Sequence, residues 1–503
     1  MDVSAEPGPR APTAEPAFDR RMIVVGAVTV SGTIIALLDM TIVNVAIHSI
    51  GRDLGGSISS VQWVLTGYML AFAGIIPATG WAIDRFGAKR VWIGALSLFM
   101  VGSAMSGFAW SIGALIAFRV MAGLGGGMIP PLGEAILAQA AGPWRLGRVM
   151  GTLAIPSFLG SISGPVLGGI IVSSAGWRWI FFIEVPLCIM AVLAAMRLLP
   201  RTSSRLGSRL DLGGLVLLSF GVTIFIYGMS EIGSGGGFTG VRGLIGLCTG
   251  FVLLALYGVH ARAKRGLALI DLSLFKERAF AAAAAAILLI SISMFGALLL
   301  FPLYWQIVRG ESPFVTGLLL APQAVGAMVA LPLAGRVTDA VGAGFVVPVG
   351  IILALAGTAA YTQVGVDTSH AVLVGALFVM GLGAGAIHTP LTVSAFVALP
   401  REAVPRAASA LHVIKRLGAS VGTAVLAIVL QRAIVGEVPQ LGDTALGPLT
   451  PEVRARIAPD LADAFKVSFW VAFGLTAIAL GPALMLPRAR RRVTQRRKQS
   501  RVK

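Results

Sequence analysis

Long apolar runs, broken by short segments that collect the charges, recur almost from end to end of this 503-residue chain. A helix that crosses the hydrocarbon core of a bilayer needs about 20 apolar residues. Within lipid, only helices and closed barrels satisfy every backbone polar group. Such runs fall at 22–47, 59–83, 90–109, 111–139, 148–173, 177–199, 211–229, 242–260, 280–305, 315–336, 343–362, 371–397, 406–432 and 466–487, which predicts fourteen transmembrane helices. Hydrophobic residues make up 56% of the chain and charged ones 12%, about half of the roughly 25% that a soluble domain carries. The 63 glycines suit helices that pack backbone to backbone in lipid.

The formal net charge of +18 is distributed as a topology signal, and no nucleic-acid partner is expected. With the N-terminus in the cytoplasm and the spans alternating, inside segments carry 29 of the 40 Lys and Arg and outside segments eight; Arg119, Lys415 and Arg416 remain within spans. This asymmetry predicts a multi-pass plasma-membrane protein with both termini cytoplasmic. Nine basic residues and no acids occupy Arg488 to Lys503, a tail expected either near anionic lipid headgroups or as a solvated topology signal. Acids and prolines precede the first apolar run, which does not fit a signal peptide. Cys188 and Cys248, both inside apolar runs, read as packing residues. Trp63, Trp81, Trp92, Trp110, Trp177 and Trp305 fall near predicted helix ends, where interfacial rings prefer to sit. The expected organisation is a cytoplasmic tail (1–21), a six-helix bundle (22–200), an inserted two-helix pair with its loops (201–265), a second six-helix bundle (266–487) and a basic tail (488–503). The outside stretch Gly436 to Asp463 reads as a connector, with a small lid as the alternative.

Five short motifs stand in order along these spans. The first is Leu38-Asp39-Met40-Thr41-Ile42-Val43-Asn44-Val45-Ala46. Gly80-Trp81-Ala82-Ile83-Asp84-Arg85-Phe86-Gly87-Ala88-Lys89-Arg90 follows between the second and third. Arg119 with Gly123, Gly125 and Gly127 lies in the fourth, and Gly160, Gly164, Pro165, Gly168 and Gly169 in the fifth. Arg416-Leu417-Gly418-Ala419-Ser420-Val421-Gly422 lies in the thirteenth. Together they resemble the 14-spanner drug:proton antiporters of the major facilitator superfamily. The resemblance implies an all-α integral membrane fold of two six-helix bundles plus an inserted helix pair. It departs from the family pattern at Ala82, Ala122 and Ile47-His48. The second-half echo of the loop motif, Gly335 to Gly342, lacks the trailing basic pair.

Carboxylates inside a membrane span are costly and mark ion or substrate paths. Asp39 is such a residue, and removal from water favours its neutral form. Asp39 and Arg119 each lie eight residues from a predicted outer helix end, so both are about 12 Å deep. Asp39 is expected to alternate between a proton and a cationic partner, either Arg119 or the substrate; a fixed structural pair is the alternative. Glu134 lies 15 residues beyond Arg119, about 22 Å deeper, after Pro130-Pro131, which are expected to disturb the helix. It is either an attractor for cations and protons or a hydrated helix-end carboxylate. Proton-coupling candidates are therefore Asp39, Arg119 and Glu134.

His388, His412, Lys415 and Arg416 fall in the middle third of the twelfth and thirteenth spans. A histidine titrates in the physiological range, and the two cations either bind anionic groups or snorkel outward. The substrate cavity is expected to use Asn44, Tyr68, Tyr304, Gln306, His388 and Arg416 among mostly apolar walls. Gly80, Asp84, Arg85, Gly87, Lys89 and Arg90 are expected to form a polar latch that favours one of two rocking states. Gly160, Gly164, Gly168 and Gly169 put a small-residue face on the fifth span, and Pro165 is expected to kink it. The resemblance makes that face a hinge or proton seal, compatible with plain packing.

No Gly-x-x-x-x-Gly-Lys-[Ser/Thr] loop and no His/Cys cluster with metal spacing is present. The chain is read as no enzyme, with no cofactor and no metal. The expected partners are a small-molecule substrate, protons and the lipid bilayer. The resemblance implies export of amphipathic or cationic molecules in exchange for protons. Its rivals are export of one uncharged or anionic metabolite, nutrient uptake by symport, and a receptor or lipid-handling protein of the same fold.

Overall fold

The computed structural model describes residues 20–55, 58–141, 145–200, 210–233, 240–264, 268–438 and 451–488. Among these residues every regular element is helical: α1 (Arg20–Leu54), α2 (Ile58–Phe86), α3 (Ala88–Gly107), α4 (Ile112–Ala141), α5 (Leu146–Ala175), the short α6 (Trp179–Phe182) and α7 (Glu184–Leu198), α8 (Leu212–Glu231), α9 (Val241–Ala263), α10 (Arg278–Leu303), α11 (Pro313–Val341), α12 (Ala343–Tyr361), α13 (His370–Val397), α14 (Val404–Glu437), α15 (Pro451–Ile478) and α16 (Leu480–Leu484). Among the described residues, thirteen helical segments are long and apolar enough to cross a membrane. The remaining expected span, α5, is a 30-residue helix whose apolar described stretch is Val166–Ala175.

One pairing pattern occurs twice. In the first half α1 packs on α5, α2 on α4, and α3 on α4; in the second half α10 packs on α14, α11 on α13, and α12 on α13. Internal duplication of this kind is how transporter bundles are built. The two halves meet through reciprocal pairs, α2 with α14 and α11 with α5. The helix pair α8–α9 lies against α2 and α14, alongside that seam.

Small residues make the close pairings possible. A Cβ on Gly123 of α4 would lie 2.5 Å from the Tyr68 carbonyl oxygen of α2, and one on Gly102 of α3 would lie 2.5 Å from the Ala122 backbone nitrogen of α4. Gly87 (φ 82°) and Gly342 (φ 88°) hold equivalent left-handed turns before α3 and α12, a conformation that glycine adopts without steric penalty.

The helix pair has its own polar tie. Asp211 caps α8, accepting from the Gly214 N–H at 3.1 Å. His260 Nε2 of α9 lies 2.8 Å from its Oδ1, and Lys264 Nζ lies 3.2 Å from the same oxygen. Burial works against the Asp211 carboxylate, but hydrogen bonds from His260, the Gly214 N–H and Lys264 outweigh it and hold the group below the usual carboxylate range.

Several expectations need correction. Within the stretch read as a connector from Gly436 to Asp463, the described residues are helical but for Val438, because α14 runs to Glu437 and α15 starts at Pro451; 439–450 lie outside the described residues. Pro130 and Pro131 leave α4 unbroken as a helix. Trp92, Trp177 and Trp305 are buried within the protein, and the Trp177 indole donates to Asp53 Oδ2 at 2.9 Å. Cys188 is buried, but Cys248 is exposed on the helix pair. The tails 1–19 and 489–503 lie outside the described residues, the basic stretch from Arg488 among them but for Arg488 itself.

Candidate functional site

The first polar site is enclosed within the first half. Asp39 of α1 and Arg119 of α4 form an ion pair of 2.6 Å, and both side chains are fully buried. Tyr68 of α2 covers the guanidinium, its ring centroid 4.1 Å from Arg119 Cζ, and Phe181 flanks it at 5.5 Å. The sequence reading missed a third charge-bearing group. Glu184, at the start of α7, is fully buried and interacts with both Asp39 and Arg119. Its Oε2 lies 2.5 Å from Ser103 Oγ of α3. Glu184 was findable by the criterion that selects Asp39, since it is the lone acid in the run 177–199. Breaking a buried pair like Asp39–Arg119 strands a charge and costs about 3–5 kcal/mol.

The second site lies on the seam between the halves. Glu134 Oε2 of α4 is 3.2 Å from His412 Nε2 of α14, a contact that is an ion pair when the histidine is protonated, with both side chains largely covered. Lys415 Nζ of α14 is 2.5 Å from His388 Nε2 of α13. These four residues, with Ser291, Thr392 and aliphatic neighbours, line a cavity of about 30 Å³, room for water rather than for a drug-sized molecule. One residue along from Lys415, the Arg416 guanidinium stacks on Phe72 at 4.5 Å and approaches Met40 Sδ at 4.0 Å. Phe72 follows Tyr68 by one helical turn, so Arg416 reaches across the seam toward the Asp39 neighbourhood.

The third site joins the halves at one end of the bundle. Arg406 Nε, in the first turn of α14, donates to Asp84 Oδ2 near the end of α2 at 2.9 Å. A Cβ on Gly80 would lie 3.0 Å from Arg406 Cα, so this glycine lets α2 and α14 close up. The reciprocal pair has an equivalent device: Asp339 of α11 accepts from the Gly147 and Arg148 backbone N–H groups, 2.9 Å each, at the start of α5. A carboxylate there meets unpaired helix N–H groups and the positive end of the helix dipole. Lys89 donates to the Met196 and Leu199 carbonyls at the end of α7, at 2.7 and 2.8 Å. Arg85 is half-buried and Arg90 exposed.

Other expected site residues are placed elsewhere. Tyr304 is fully buried inside the second half rather than on a cavity wall. Its hydroxyl donates to the Gly365 carbonyl at 2.9 Å, and its ring packs on Trp305, Tyr361 and Phe465. Gln306 is half-buried in the π-helical turn Tyr304–Val308. Asn44 is exposed, and its amide donates back to the Met40 carbonyl at 3.1 Å. Gly164 and Gly168 of α5 face Thr41 and Ile42 of α1, whereas Gly169 faces open space, so the small-residue face is narrower than expected. The surroundings of Gly160 and Pro165 lie outside the described residues. Arg406, which completes the contact at Asp84, was not singled out in the sequence, and Asp339 fell within the motif echo Gly335 to Gly342. Among the described residues, no group of three or more His, Cys, Asp or Glu is placed to hold a metal ion.

The comparisons with known proteins agree with this architecture. The profile of the Major Facilitator Superfamily matches residues 29–423. The chain is 36% identical over 491 residues to the multidrug resistance protein B homolog of Mycobacterium tuberculosis, covering 94% of this chain and 91% of that protein. It is 29% identical over 448 residues to the multidrug resistance protein Stp of the same organism, covering 89% and 83%. A crystal structure of the human organic anion transporter MFSD10 (TETRAN) superposes with a TM-score of 0.59 at 18% identity, covering 91% of this chain and 100% of that one; at that identity the likeness concerns the fold alone. A duplicated helical bundle, thirteen membrane-length helices and a family match over most of its length make this chain a member of the major facilitator superfamily.

Proposed function

We propose that this protein exports small amphipathic or cationic molecules across the plasma membrane in exchange for protons, by alternating access between its two halves. The observation that carries this reading is the fully buried Asp39–Arg119 pair. It is a titratable acid held where water does not reach, paired with a cation that a proton or a cationic substrate can replace. In this reading α5 is the fourteenth span, both termini are cytoplasmic, and the residues divide into two six-helix bundles (22–200 and 266–487) with the inserted pair (201–265) between them. The Asp84–Arg406 and Asp339–α5 contacts then close the cytoplasmic end, so the conformation described is the one that opens outward. The names of the relatives support a drug as cargo.

Arg416 favours a second reading for the cargo. Among the described residues no carboxylate pairs with it; it meets a sulfur and an aromatic face instead. A cation so placed accepts the anionic group of a carboxylate- or phosphate-bearing substrate.

Ethidium efflux from cells lacking other pumps tests both. Wild-type efflux that stops with a protonophore and with Asp39→Asn supports proton exchange; full proton-driven efflux in Asp39→Asn sinks it. Well-expressed wild type that moves no cation, but moves an organic anion in an Arg416-dependent manner, selects the second cargo.

A further inference from the structure

Two carboxylates and one guanidinium share the buried site of the first half. Asp39, Arg119 and Glu184 are each fully buried. If both acids were ionised, the site would hold one uncompensated negative charge away from water, a state that buried groups avoid by binding a proton. Asp39 Oδ1 already occupies Arg119 Nη1 at 2.6 Å. The groups facing Glu184 are Asp39 from α1, Tyr68 from α2, Ser103 from α3, Arg119 from α4 and Cys188 from its own helix; Arg119 is the sole cation among them.

The hydrogen bonds say which acid is neutral. Ser103 Oγ lies 3.2 Å from the Phe181 carbonyl oxygen and 2.5 Å from Glu184 Oε2. A hydroxyl has a single proton to give. The Phe181 carbonyl can only accept, so both contacts are hydrogen bonds at once only when the serine proton goes there. The short contact to Glu184 then needs its proton from the carboxyl group. A protonated Glu184 donating to Ser103 Oγ satisfies both contacts and leaves the site electrically neutral.

We propose that Glu184 is a second proton-binding residue of this site, neutral while Arg119 is paired with Asp39, and that it takes over the guanidinium when Asp39 is protonated. In the exchange one proton leaves the Glu184 carboxyl as one is bound by Asp39, and Arg119 passes from one carboxylate to the other. One proton, one negative charge and one positive charge are present before and after. Arg119 is never stranded, and the cost of opening a buried pair is avoided. The assignment of proton exchange to Asp39 rests on the antiport reading above; the protonation of Glu184 does not.

Infrared spectroscopy of the purified full chain in lipid, at neutral pH and without gradient or substrate, tests it. The wild type is expected to show a protonated-carboxyl stretching band that Glu184→Gln removes and Ser103→Ala shifts in frequency. Asp39→Asn is expected to remove the same band, because Glu184 then ionises to pair with Arg119. A band unchanged by Glu184→Gln, with Ser103→Ala also without effect, overturns the protonation. A band that persists in Asp39→Asn overturns the exchange. Glu184→Gln retains a donor to Ser103, so it is expected to fold and bind substrate like the wild type while proton-driven efflux falls at least about tenfold. Undiminished efflux in that variant also overturns the exchange. If the infrared results hold and no variant or wild type shows proton-driven efflux, the antiport reading fails and the shared proton stands.

Discussion

Glu134 of α4 and His412 of α14 face each other at 3.2 Å across the seam between the two halves, beside a lysine, Lys415, that leans on His388. Glu134 is the acid of this cluster, and the Lys415 amine lies close enough to interact with it. Glu134→Gln is expected to destabilise the protein by about 1–3 kcal/mol, the cost of depriving a buried charged group of its partner. Thermal unfolding in detergent measures it. Glu134→Gln combined with Lys415→Met is expected to recover part of the loss, because the cation left without its counter-charge is then gone. Strict additivity would show that the two residues do not interact.

The Asp84–Arg406 contact joins the two halves at one end. Asp84→Asn weakens a charged hydrogen bond worth about 1.5–3 kcal/mol and is expected to raise the population with that end open by roughly tenfold or more. Labelling of a cysteine placed beneath the contact reads this out, as the described conformation buries it. The exchange Asp84→Arg with Arg406→Asp is expected to restore part of the closure.

Asp339 performs the reciprocal task by capping the start of α5 through two backbone N–H groups. Asp339→Ala is expected to shift labelling in the same direction, by about 1 kcal/mol, as for other lost helix caps. Asp84 and Asp339 share no partner in these contacts, so Asp84→Asn and Asp339→Ala are expected to add within about 0.5 kcal/mol. A large non-additive term would mean that the two contacts open as one unit.

Gly123 sits where α4 meets α2, and a Cβ there would lie 2.5 Å from the Tyr68 carbonyl oxygen. Gly123→Ala is expected to cost about 1–3 kcal/mol through overpacking. It also pushes away the turn that lays Tyr68 over Arg119, so transport is expected to fall further than stability. Normal transport from a destabilised Gly123→Ala would separate Tyr68 from the function of the buried pair.

Asp211 ties α8 to α9, and its carboxyl is held below the usual range chiefly against the effect of burial, by His260, Gly214 and Lys264. A group whose folded pKa is depressed contributes stability above its unfolded value, about 3.9. That contribution is lost as the pH falls through the lower, folded value. The difference in thermal stability between wild type and Asp211→Asn is therefore expected to be constant above about pH 4 and to shrink below it. A difference that grows on acidification would contradict the assignment.

Periodicity was never needed to recognise the membrane helices, because lipid removes the alternation that water imposes and leaves plain apolar runs of the required length. Asp39 and Arg119 could be matched from equal distance to their helix ends, as helical rise converts residue number into depth. The turns at Gly80–Arg90 and Gly335–Gly342 were legible as related motifs because both carry the spacing Gly-x-x-x-Asp-x-x-Gly. Glu184 was visible by the same logic as Asp39 and was overlooked within a run rich in aromatic residues.

Sequence alone therefore determined which apolar segments become membrane-length helices and which polar residues lipid makes expensive. It did so because transfer into hydrocarbon is a property of single residues and short windows. Only the tertiary structure decided partners: that Glu184 joins Asp39 and Arg119, that Arg406 meets Asp84, that Glu134 meets His412, and that Tyr304 turns into its own half. Those contacts join residues 61 to 322 positions apart, and they depend on how helices rotate and cross, which glycine contacts and side-chain shapes settle only when all the helices are packed together.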